Sequence, residues 1–142
     1  MIPIVLLVAC GGSLPDTLGE RNGTLAPCPG TPNCVHTGLR HPDGTRGIYL
    51  LGSLGRSELM PRTRAVVETL PRVTIVTATD NYLHAEVRSR IFRFIDDLEI
   101  VIAVDRELIV RSASRVGRGD LGVNGRRVEW LRTELQKAGL IR

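Results

Sequence analysis

The sequence predicts an α+β domain: a four-stranded antiparallel meander with one helix before it and one after, both packed on the same face of the sheet. Three observations carry this. From 83 to 91 the odd positions are Leu83, Ala85, Val87, Ser89 and Ile91, while His84, Glu86, Arg88 and Arg90 fill the even ones, which is the period of a half-buried strand. Leu98, Ile100, Ile102 and Val104 repeat that alternation, and Leu108 and Val110 continue it with Ser112 and Ser114 in phase. Finally, Val128, Leu131, Leu135 and Ala138 recur at helical spacing and end at Gly139.

Taken in order, residues 1–9 form a wholly apolar run that ends in Leu7-Val8-Ala9-Cys10 before Gly11-Gly12-Ser13. This resembles the lipobox of a bacterial lipoprotein, in which the signal is cut before a cysteine that becomes lipid-modified. The run is short for an export signal and has no Lys or Arg ahead of it, so a buried front strand is the alternative. Nine residues do not span a bilayer as a helix. The lipobox reading makes 1–9 a leader and 10–26 a lipidated, flexible tether, with a single domain over 27–142. Gly11 after the cysteine, with no Asp there, resembles lipoproteins sent on to the outer membrane.

The segment Pro27-Cys28-Pro29-Gly30-Thr31-Pro32-Asn33-Cys34-Val35-His36 restricts two cysteines to one short loop. With Cys10 committed to lipid, an oxidising envelope would leave Cys28 and Cys34 as an even pair, and a short-range disulfide is expected. A metal site of Cys28, Cys34, His36 and His41 fits no standard zinc spacing. From 36 to 57 five glycines surround the apolar cluster Ile48, Tyr49, Leu50 and Leu51, and the chain there reads as irregular. Pro61 suits the first turn of a helix running to about residue 70, where Pro71 stops it. Residues 73–79 form a β-branched run ended by Asp80-Asn81. Phase places Thr79 opposite Leu83 and Val104 opposite Leu108. Asp96-Asp97 interrupts an apolar run and is expected to mark a bend. Asn124 is placed to cap the last helix.

Three blocks together resemble one family, the bacterial and plastid proteins grouped as domain-of-unknown-function family 1499. They are Cys28-Pro29-x-Thr31-Pro32-Asn33-Cys34-Val35; Leu83-His84-Ala85-Glu86-x-Arg88-Ser89 with Phe94-x-Asp96-Asp97-x-Glu99; and Arg111-Ser112-Ala113-Ser114-Arg115-Val116-Gly117 with Gly122-Val123-Asn124. The resemblance covers about 27–140 and implies an envelope or lumenal setting, but no activity or ligand. Val35-His36-Thr37 departs from the family's serines, and Arg118 stands where an aromatic or small residue is expected.

A chain of 142 residues suits one domain, with a formal charge of +4 and a pI near 9.5. Basic residues are dispersed and aromatics few, so nucleic acid is not an expected partner. No cofactor motif is complete, and none is expected: the glycine-rich stretch at 117–122 lacks the Gly-Lys-Ser/Thr ending of a phosphate loop. Arg88, Arg90, Arg111 and Arg115 alternate onto the polar sheet face and form a candidate anion site. His84, Glu86, Asp96, Asp97, Glu99 and Asn124 would support it. The resulting expectation is a lipid-anchored envelope protein on the periplasmic side, whose partners are the membrane and a small anionic ligand or the carboxylates of another envelope protein. One alternative is a hydrolase or transferase using Glu86, His84, Asp96 and Asp97 for acid-base work; another is a purely structural envelope protein. Apolar Val76, Ala78, Val101, Ala103 and Ile109 also fall on the polar face. The cluster at 48–51 is therefore expected to clasp across it.

Overall fold

A computed structural model describes residues 12–38 and 47–142, so Cys10, His41 and the apolar run at 1–9 lie outside the described residues. The elements are β1 (Cys34–His36), α1 (Arg56–Val67), β2 (Val73–Ala78), β3 (Tyr82–Arg88), β4 (Ile95–Ile102), β5 (Leu108–Ser114) and α2 (Val123–Lys137). All neighbouring strands pair antiparallel in the order β1-β5-β4-β3-β2. The expected α+β meander is therefore present, with a fifth strand added at its edge. Three residues are too few for a periodic signal, which is why the cysteine segment did not read as a strand.

The apolar face follows the alternation in the sequence. Leu83, Ala85 and Val87 meet Leu98, Ile100, Ile102, Leu108 and Val110, and the helices add Leu59, Met60, Val66, Val67, Val128, Leu131 and Leu135. α2 ends as a Schellman turn: Gly139 takes φ +72°, its N–H donates to Gln136 O, and Leu140 N–H donates to Leu135 O.

Several expectations need correction. α1 begins at Arg56, five residues before Pro61, because Glu58 accepts the Gly55 N–H at 3.0 Å and supplies the start signal. Ala78, not Thr79, opposes Leu83, and a register shift between Ile75 and Thr77 moves Ala78 to the apolar side. Ile102, not Val104, opposes Leu108; Arg106 at φ +71° completes a longer turn, and Val104 projects into solvent. Asp96 and Asp97 cause no bend but sit inside β4, fully paired on both sides. The clasp is also different. Ile48 and Leu50 belong to the main core beneath the helices, whereas Val101 and Ile109 are covered by Leu25, with Tyr82 and Ala103 beside it. Leu25 and Ala26 are buried and Gly19 N–H donates to Glu99, so this part of the stretch read as tether packs on the sheet.

Candidate functional site

Alternation along β4 sends its two adjacent aspartates in opposite directions, and each anchors its own network. On the helix side, Asp96 Oδ2 accepts from Arg127 Nη2 at 2.8 Å. Arg127 Nη1 also donates to Asn124 Oδ1 (2.8 Å) and Ser112 Oγ (3.0 Å). Asn124, buried on α2, donates through Nδ2 to Ser114 Oγ, Asn33 O and Asp120 Oδ2. Asn33 in turn donates to Gly117 O, and the Cys28–Cys34 disulfide brackets it. One asparagine thus ties the cysteine loop, β5, the glycine-rich turn and α2 together. It does not cap α2 as expected. Gly122 at φ +78° occupies the cap position, and Asp120 accepts the N–H groups of Gly122 and Asn124. Burial would raise the Asp120 carboxyl, but those hydrogen bonds hold it below the ordinary carboxylate range.

On the other side, Asp97 is the hub. Arg115 grips it with both branches, Nε to Oδ2 at 2.8 Å and Nη2 to Oδ1 at 2.7 Å, and also donates to Glu86 Oε1 at 2.7 Å. His84 Nε2 donates to Asp97 Oδ1 at 2.7 Å. Burial pushes the Asp97 carboxyl up, yet the bonds from Arg115 and His84 outweigh it and leave the group below its usual value. The Arg115 guanidinium is held further into its charged form, chiefly by Asp97. Next to this cluster lies Glu99, fully buried, whose Oε1 accepts from Gly19 N–H (2.8 Å) and Tyr82 OH (2.9 Å). Burial first, and then the Glu99 charge, push the Tyr82 hydroxyl up. Arg111 Nη1 donates to Glu99 Oε2 at 3.4 Å, a long bond, and its Nε has no hydrogen-bond partner among the described residues.

The sequence-predicted residues therefore divide. Arg111 and Arg115 meet His84, Glu86, Asp97 and Glu99 on one sheet face, where three carboxylates already outnumber two arginines. Asp96 and Asn124 belong to the helix side instead. Asp96 and Asp97 share no proton and form no carboxylate pair, since a different arginine neutralises each. Cys28 and Cys34 are joined to each other, which removes the thiolates that a metal alternative would use. Arg88 and Arg90 lie away from both networks, at the end of the sheet where β3 turns into β4. Reasoning from the sequence missed Arg127, which only helix packing brings to Asp96, and it missed Tyr82 on Glu99. It also passed over a cleft of about 530 Å³ between Leu25, His36, Ile109 and the β4–β5 turn.

These features define a class: a small, disulfide-bonded α+β domain whose sheet is clamped on both faces by buried arginine–carboxylate networks. Within that class the chain belongs to the DUF1499 family of proteins of unknown function, whose pattern it matches over residues 24–135. No curated protein matches the sequence. Among the described residues, no helix is long and apolar enough to cross a membrane.

Proposed function

We propose that this protein is a binding or accessory module of the cell envelope, lipid-anchored through Cys10 on the periplasmic side, and that it recognises anionic groups through arginines outside the buried networks. The Cys28–Cys34 disulfide favours an oxidising compartment. The observation that carries the binding reading is the partition of the arginines. Arg111, Arg115 and Arg127 are held by internal carboxylates, and the face bearing Arg111 and Arg115 has no net positive charge to offer. Among the described residues, no carboxylate pairs with Arg88 or Arg90, and their backbone neighbourhood supplies Arg93 as a third cation. Anion recognition then belongs to the end of the sheet rather than to its centre.

Two experiments test this. Native protein should fractionate with membranes and show an intact mass of a chain starting at an acylated Cys10; an unmodified chain in the soluble fraction contradicts the anchor. Arg88→Gln/Arg90→Gln should elute from a phosphate-bearing resin at clearly lower salt than the parent. Unchanged elution contradicts the binding site.

A further inference from the structure

The β3–β4 connection, residues 89–94, reads Ser-Arg-Ile-Phe-Arg-Phe. Its base is closed by Ser89 N–H donating to Phe94 O (2.8 Å) and Phe94 N–H to Ser89 Oγ (2.9 Å), with Arg93 at φ +55° making the turn. This small, fixed tip holds its apolar side chains outward: Ile91 is 79% exposed, Phe92 68% and Phe94 40%, and the two rings stack at 5.5 Å. Single exposed apolar residues, such as Val104 at the other end, are ordinary. Three on one six-residue turn, interleaved with Arg90 and Arg93, are not.

Topology adds to the same end. Because β3, β4 and β5 alternate in direction, the turn after β5 lies beside the β3–β4 tip, and Arg115 N–H donates to Ile95 O between them. That turn presents Leu121, 95% exposed, together with exposed Arg118. Arg72, at the start of β2, donates to Arg88 O. The end therefore shows apolar side chains surrounded by arginines. No acidic residue falls within 88–95; Asp96 faces inward to Arg127, and Asp120 of the neighbouring turn is taken up by the N–H groups of Gly122 and Asn124.

The chain also enters the described structure here. A Cβ on Gly12 would lie 3.1 Å from Val116 and 3.3 Å from the Arg115 Cβ, so the residue two positions after Cys10 packs against the turn that follows β5. A lipid on Cys10 would thus hold this end toward the bilayer.

We propose that this end is a membrane-docking surface: Ile91, Phe92, Phe94 and Leu121 enter the interface of a bilayer while Arg88, Arg90, Arg93 and Arg118 engage anionic lipid headgroups. Aromatic and apolar side chains are favoured at the headgroup level, and each basic residue near an anionic surface strengthens binding about fivefold. The proposal rests on the envelope reading above, and it names the anionic group as lipid. The anchor then keeps the chain at the membrane, and the tip fixes which end faces the bilayer.

The test uses the full chain with Cys10→Ser, so that no lipid contributes, and with Phe92→Trp as a reporter. Vesicles of phosphatidylethanolamine with about one-third phosphatidylglycerol should blue-shift the reporter's emission and expose it to brominated-lipid quenching. Trp130 on α2, followed in the same chain without the reporter, should stay unchanged. Phe92→Ala should lower vesicle affinity about tenfold, the loss expected for one ring leaving the interface. Binding without a blue shift, or equal binding to neutral phosphatidylcholine, overturns the proposal. So does a preference for an acidic polypeptide such as polyglutamate over the vesicles, which would make the surface a protein site. Intact mass of the native chain separates the two levels: an acylated chain whose tip stays in water retains the anchor and refutes the docking, whereas an unacylated soluble chain refutes the anchor itself.

Discussion

Removing Arg115 should destabilise the fold more than removing any arginine at the surface. Its guanidinium makes three charge-assisted bonds to Asp97 and Glu86, and its side chain and that of Asp97 are both buried. Arg115→Ala leaves the buried Asp97 with His84 alone, and breaking one partner of such a pair costs about 3–5 kcal/mol. In a domain of this size that is about 10–15 °C in Tm. The pH dependence separates charge from packing. In the parent, the Asp97 carboxyl is held below its ordinary value. Its contribution is therefore complete above the unfolded value, near pH 4, and is lost as pH falls through the folded one. In the variant, burial acts without the arginine and raises the folded value, so the variant gains relative stability as the carboxyl protonates. The Tm deficit should be largest at pH 7 and shrink below about pH 4. A deficit under about 3 °C, or one equal at pH 7 and pH 3.5, refutes the reasoning.

Other expectations follow from the same geometry. Asn124→Ala removes a fully buried amide that satisfies Asn33 O, Ser114 Oγ and Asp120, and should cost about 2–3 kcal/mol in urea unfolding; a loss below about 0.5 kcal/mol would make that network dispensable. Cys28→Ser/Cys34→Ser opens a short ring and should cost about 2 kcal/mol by loop-closure entropy. Reductant should then lower the Tm of the parent but not of the variant. Leu25→Ala uncovers Val101 and Ile109 and should cost about 2 kcal/mol, measurable as a fall in Tm. If it is neutral, Leu25 does not cover this face.

The alternation of β3, β4 and β5 was legible because one face is buried by helices, and a period of two leaves a trace in the sequence whenever burial is one-sided. The Cys28–Cys34 pair was legible from the short proline-rich loop and from the two cysteines that remain of three once Cys10 is set aside for lipid. Register was not, since the shift in β2 and the positive φ at Arg106 each insert residues without changing the apolar pattern on the partner strand. Nor was the partner of any charge. Alternation puts Glu86, Asp97, Glu99, Arg111 and Arg115 on one face, but side-chain reach and cross-strand position decide who pairs, and Arg127 arrives from a helix far along the chain. Residues 12–26 read as tether because they lack a period. Yet a single leucine and one backbone N–H on Glu99 suffice to dock them. The exposed tip was hidden for the opposite reason: Ile91 continues the apolar phase of β3, but the strand ends at Arg88 and the turn swings it outward.

If the β3–β4 tip docks on a bilayer, position and not number decides which arginines meet the anionic surface. Arg90→Gln/Arg93→Gln and Arg62→Gln/Arg64→Gln each lower the formal charge of +4 by two, the first pair at the β3–β4 tip and the second on the exposed side of α1. Vesicle co-sedimentation of both, in the Cys10→Ser chain at physiological salt, should show a loss of about 25-fold for the tip pair and less than about threefold for the helix pair. Equal losses for the two pairs would mean that net charge alone governs binding, and would contradict the account.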